Sequence, residues 1–184
     1  MRITFNAPFT LVFTIVAVIV FILFQHIESP PMPFVLPGEF MVKDLVWYAS
    51  LVGYTLGHAN LEHLLGNFSI ILMLGPILEE VYGTKKLFIM VTITGISTAI
   101  FHMLFWDYGL MGASGIVFMF IVLSSLINIK DKELPLTFIL VVILFLGKEI
   151  YNSFGSDSVS QFAHIAGGVI GVVFGYFHKA LGTK

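Results

Sequence analysis

The chain has 184 residues, of which 58% belong to the apolar set AVILMFWYC and only 11% are charged, with a mean hydropathy of +0.98. Globular domains carry roughly 25% charged residues, so this chain lacks the polar surface of a water-soluble fold and must place much of its surface in lipid. A net charge of −2 argues against a nucleic-acid surface, and the absence of cysteine excludes disulfides, thiolate metal sites, iron–sulfur clusters and cysteine nucleophiles.

A membrane helix needs about 20 mostly apolar residues. The first is predicted from Ala7 to Phe24. It follows Arg2, as the apolar run of a signal peptide follows a basic residue, but Gln25 to Pro30 offers no small-x-small cleavage site, so a retained helix is expected. Ser29-Pro30-Pro31-Met32-Pro33 cannot continue it. Leu45 to Leu56 is apolar and carries Trp47, Tyr48 and Tyr54, but is too short to cross. An interfacial or re-entrant segment is expected there, which leaves the first connection, Glu28 to Gly57, partly submerged. Further spans are predicted at Leu61–Leu78, Leu87–Trp106, Ala113–Ile129, Leu134–Tyr151 and Gln161–His178. The expected architecture is an all-α membrane protein: six transmembrane helices in one compact bundle, a single domain over residues 1–184 with no soluble domain.

Basic residues orient it. With the N-terminus inside, the inner segments carry Arg2, Lys85, Lys86, Lys130, Lys132, Lys179 and Lys184, and the outer ones only Lys43 and Lys148. Both termini are then cytoplasmic, and the second, fourth and sixth spans start at the outer face.

Polar groups inside such spans need an explanation, because lipid offers no water to satisfy them. His63 and Asn67 on the second span, Ser114 on the fourth and His164 on the sixth all fall within the first turns below that outer face. Ser114 lies in Gly112-Ala113-Ser114-Gly115. Taken alone, this is a helix cap or a packing motif. Functionally, Gly112 and Gly115 clear room for a substrate backbone beside the hydroxyl, and the amides of a helix start face any developing negative charge. His164 lies three residues before Gly167, which with Gly171 and Gly175 forms one helix face suited to close packing. A serine and a histidine at one level suggest a nucleophile and its base. His63 and Asn67, four apart with His58 just above, are either a polar helix contact or donors for an oxyanion. A metal reading through His58, Glu62 and His63 is disfavoured, since neighbouring side chains diverge on a helix and His-Glu-x-x-His is missing. His102 is buried in the third span with no partner nameable from sequence.

In this order, His58-x4-His63-x3-Asn67, Gly112-Ala113-Ser114-Gly115 and Ala163-His164-x2-Gly167-x3-Gly171, on the second, fourth and sixth spans, resemble the rhomboid intramembrane serine proteases. Gly75-x3-Glu79-x3-Gly83 resembles the family as well. The resemblance implies a serine endopeptidase with a Ser114–His164 dyad, no acidic third member, no cofactor and no metal. It implies an oxyanion site of His63, Asn67 and the Ser114 amide, supported by His58. It implies a mobile cap over Asn152–Ser160 and membrane-spanning protein substrates. The depth of the polar residues puts the expected active site open to the outer face, and with no soluble domain or organelle presequence a prokaryotic plasma (inner) membrane is expected. Two departures stand out: no arginine accompanies Trp47, and Phe118 occupies a position where the family often has a tyrosine under the histidine. The alternative is a catalytically silent relative that binds membrane helices; such proteins lack the nucleophile or the base, and both are present here.

Overall fold

A computed structural model of the chain describes residues 3–27, 30–127, 136–141, 143–144 and 158–180. Among these the fold is helical: α1 Pro8–Phe24, α2 Leu45–Gly53, α3 Leu61–Tyr82, α4 Thr84–Phe105, α5 Ser114–Leu126, α6 Leu136–Val141 and α7 Ser158–Ala180. The described residues contain no strand, only an isolated antiparallel bridge between Leu36 and Leu110. By length and apolarity α3 and α4 are able to cross a membrane, while α1 and α5 are apolar but shorter. The chain forms two compact units, residues 1–113 and 114–184.

In the first unit α1 begins with proline at its first position, where the missing N–H costs no helical bond. Its next two amides, of Phe9 and Thr10, donate to the two carboxylate oxygens of Glu79 on α3 at 2.9 and 3.0 Å. The hydroxyls of Thr10 and of Thr84, the first residue of α4, donate to the same carboxylate at 2.8 Å each. One buried acid therefore ties the starts of two helices to the end of a third, with its negative charge at the positive pole of α1. Beside it α1 and α3 come so close that a Cβ on Gly75 would sit 2.5 Å from Thr10 Cγ2. α3 runs on to Tyr82, beyond its predicted end at Leu78, because Glu79 is absorbed as this acceptor rather than left at a water-facing rim. Gly83, with φ +80°, then turns the chain directly into α4, three residues ahead of the predicted start.

Replacing Glu79 with alanine strands the α1 amides, at about 1–3 kcal/mol for each buried donor left without a partner. Thermal unfolding in detergent should show Glu79→Ala destabilised by about 2–4 kcal/mol. Glu79→Gln, which keeps one oxygen acceptor, should lose less. Equal stability of the alanine variant and the parent would contradict the capping role.

α2, capped by Asp44 accepting from the Val46 amide at 2.8 Å, is nine residues long. That is about 13 Å, well short of a roughly 30 Å hydrocarbon core. It buries Trp47 and Ser50 and exposes Leu45, Val46 and Tyr48.

In the second unit α5 and α7 pack along the glycine face anticipated from the sequence spacing. A Cβ on Gly167 would collide with the carbonyl oxygen of Gly115. One turn further, a Cβ on Gly171 would meet Met119 O and Val122 Cβ at 3.1 Å, and a turn beyond that a Cβ on Gly175 would lie 2.6 Å from Leu126 Cδ1. α7 starts at Ser158, three residues before the predicted Gln161. Of the predicted fifth span, Leu136–Val141 is helical, and most of the remainder lies outside the described residues. So does the expected cap over Asn152–Ser160, apart from Ser158–Ser160 in the first turn of α7.

The tightness of this seam sets a second expectation. Gly167→Val drives a branched side chain into the Gly115 carbonyl and must force the helices apart, where overpacking costs typically about 1–3 kcal/mol. Gly175→Ala meets only the end of the flexible Leu126 side chain and should be milder. Unfolding midpoints in detergent that rank these variants in the opposite order would contradict the packing described.

Candidate active site

The first unit brings His58, His63, Asn67 and Gly112 together. Asn60 caps α3 by accepting from the His63 amide at 2.8 Å, which fixes where the helix begins and so where its side chains point. His58 stands in the turn just before it and is buried, 5% exposed. Its Nδ1 lies 3.2 Å from the Leu56 carbonyl, which can only accept, so the ring proton is on Nδ1. Nε2 is then an acceptor, and Asn67 Nδ2 donates to it at 3.0 Å. The amide of Asn67 is oriented by this bond and keeps a second N–H on the same nitrogen. The His58 ring also meets His63 edge-on at 5.0 Å and Phe68 at 5.5 Å between centroids.

Gly112 completes the group. It has φ +122°, and a Cβ there would lie 2.5 Å from His63 Cε1 and 2.9 Å from His63 Nε2. The imidazole of His63 thus occupies the space that any other residue at 112 would fill. Only glycine tolerates both that backbone conformation and that approach.

The segment leading to Gly112 is pinned at several points. His102 Nε2 donates to the Tyr108 carbonyl at 2.8 Å, and its ring stacks on Trp106 at 5.7 Å and 19°. Leu36 and Leu110 exchange backbone hydrogen bonds of 2.9 and 3.0 Å, Gly38 lies against the Asp107 backbone, and the Gly112 amide donates to the Tyr54 carbonyl at 2.9 Å. Sequence reasoning passed over His102, Leu36 and Tyr54 as contributors. The one available signal was that an imidazole buried in an apolar span needs a polar partner.

Burial is the main cause that lowers the His58 pKa from 6.5 to about 4, with repulsion from His63 adding to it and the bond to Leu56 opposing it. Since the folded value lies below the unfolded one, His58 contributes no pH dependence above about pH 6.5. As pH falls from 6.5 towards 4 the unfolded chain binds a proton that the folded chain refuses, and stability is lost. Unfolding midpoints should therefore drop across that window, and His58→Gln should flatten this part of the profile. A profile unchanged by the substitution would contradict the buried neutral histidine.

The second unit holds Ser114, Gly115, Phe118, His164, Gly167, Gly171 and Gly175. Ser114 is the first helical residue of α5 and is half-buried. Phe118, one turn later, is buried and lies flat against His164, with ring centroids 4.3 Å apart and planes within 8°. His164, itself half-buried, is held at this level by the Gly115–Gly167 approach one turn along α7. The stack on Phe118 and the Gly115–Gly167 contact both bear on the position of this imidazole. Among the described residues no three His, Asp or Glu side chains converge as a metal site would require.

The rhomboid domain profile matches residues 45–180. Rhomboid-related protein 1 of Caenorhabditis elegans is 34% identical over 158 residues, covering 76% of this chain and 43% of that protein. Rhomboid-like protein 11, chloroplastic, of Arabidopsis thaliana is 27% identical over 143 residues, covering 69% of this chain and 51% of its own length. The chain belongs to the rhomboid family and is a membrane protein. It spans about half the length of these two relatives.

Proposed function

We propose that the chain is an intramembrane serine endopeptidase, with residues 1–184 acting as one membrane domain of six spans. The observation that carries this is the stacking of His164 on Phe118, one helical turn from Ser114, along a seam closed by Gly115 and Gly167. Ser114 Oγ attacks the scissile carbonyl carbon while His164 accepts its proton. The electron pair of the carbonyl moves to oxygen, and that oxyanion receives hydrogen bonds from the Ser114 amide, from His63 and from the free N–H of Asn67 Nδ2. Collapse of the intermediate expels the amine, to which His164 returns the proton, and water then hydrolyses the acyl-enzyme by the same two steps reversed.

The substrates are membrane-spanning proteins cut near the outer ends of their helices, in a plasma membrane with both termini of this chain cytoplasmic. Purified protein in vesicles should cleave a generic single-span substrate. Absence of cleavage by a folded preparation would favour the silent, helix-binding relative instead. Reporter fusions after Lys132 and Lys184 should read cytoplasmic and a fusion at Gly155 external; an external residue 184 would overturn the orientation.

A further inference from the structure

Between α1 and α4 the first unit holds a groove of about 660 Å³, lined by Pro8, Phe9, Val12, Phe13, Val16, Leu56, Thr84, Lys85 and Phe88. That volume lies within the range of sites that bind small molecules, about 300–1,000 Å³. Its floor is aromatic: Phe9 stacks on Phe13 at 5.7 Å and meets Phe88 edge-on at 5.9 Å. From Phe9 to Val16 it follows α1 for about 10 Å, roughly a third of the hydrocarbon core. Its lining carries one charged side chain, Lys85, at the end where α4 begins and where Lys86 is also exposed. Neither Glu79, whose carboxylate accepts from four donors beside the groove, nor Glu80 is among its lining residues.

An apolar trough that ends at an ammonium group matches an amphiphile with an anionic head. We propose that this groove binds one anionic phospholipid, with an acyl chain along α1 and α4 and its phosphate at Lys85. In the orientation proposed above, the lipid belongs to the cytoplasmic leaflet. The site does not depend on the protease reading, because Val12 and Lys85, the residues tested, belong to neither the proposed dyad nor the proposed oxyanion site; of the lining only Leu56 reaches that site, through its carbonyl to His58. A bound chain would fill the space between α1 and α4 and support the helix starts that Glu79 ties together.

The test is native mass spectrometry of the whole protein, released from nanodiscs holding equal amounts of phosphatidylglycerol and phosphatidylcholine. The parent should retain one phosphatidylglycerol in preference to phosphatidylcholine, by about fivefold for a single lysine at a membrane surface. Lys85→Gln should lose the preference while still retaining lipid, and Val12→Trp, which blocks the trough, should lose the bound lipid. Both variants should keep the cleavage activity or inactivity of the parent, which separates this result from the fate of the protease reading. Equal retention of the two lipids by the parent would overturn the proposal, as would a preference that survives Lys85→Gln. A dimer that Val12→Trp dissolves would assign the groove to a second copy and overturn it likewise.

Discussion

Ser114→Ala and His164→Ala should each abolish cleavage of a single-span substrate, with rates falling on the order of 10⁴-fold or more. A serine hydroxyl is a poor nucleophile until a base takes its proton, and the imidazole has no proton to take without the hydroxyl. In the proposed dyad the two act as a unit, so the double variant should be hardly slower than either single one. Both substitutions leave the contacts of Gly115, Gly167, Gly171 and Gly175 in place, so both proteins should insert; Ser114→Ala should unfold like the parent, and His164→Ala, which also loses the ring stacked on Phe118, somewhat earlier. Phe118 provides a graded companion. Phe118→Ala removes the ring against which His164 lies at 4.3 Å and should lower turnover without abolishing it. Independent, multiplicative losses in the double variant would separate the two residues and contradict a dyad.

Asn67→Ala is expected to have the next largest effect. Its Nδ2 is aimed by the bond to His58 Nε2, so its remaining N–H is held ready rather than recruited during the reaction. Preorganised donors of this kind are worth about 2.7–4 kcal/mol of barrier, or on the order of a hundredfold to a thousandfold in kcat. The interaction strengthens as charge moves onto the oxygen, so kcat should fall while KM changes little. His58→Gln, which can still accept from the Asn67 amide, should retain much more activity than His58→Leu, which cannot. Unfolding midpoints of all three variants separate catalysis from packing. An unchanged kcat for Asn67→Ala would leave it as a polar helix contact.

Much of this architecture is legible in the chain because lipid imposes long apolar runs, and α1, α3, α4 and α7 fall within a few residues of where those runs predict them. α3 runs past the end expected from the apolar run for a physical reason. A carboxylate in an apolar stretch reads as a boundary, whereas Glu79 is buried by four donors supplied from α1 and α4. The glycine seam was legible because a spacing of four puts Gly167, Gly171 and Gly175 on one face. The support under Gly112 was not. It depends on Tyr54, Leu36 and His102, which are distant in sequence and bond through backbone carbonyls that every residue possesses. The approach of His63 to Gly112 was hidden in the same way, since a glycine announces room without naming its occupant.

The central claim is that His164 activates Ser114, and a fluorophosphonate probe reads this most directly because it reacts with activated serines and needs no knowledge of the substrate. The parent protein, labelled in detergent and digested, should carry one probe on the peptide containing Ser114, and His164→Ala should carry none. Absence of label on the folded parent, or label on His164→Ala equal to that on the parent, would contradict the account.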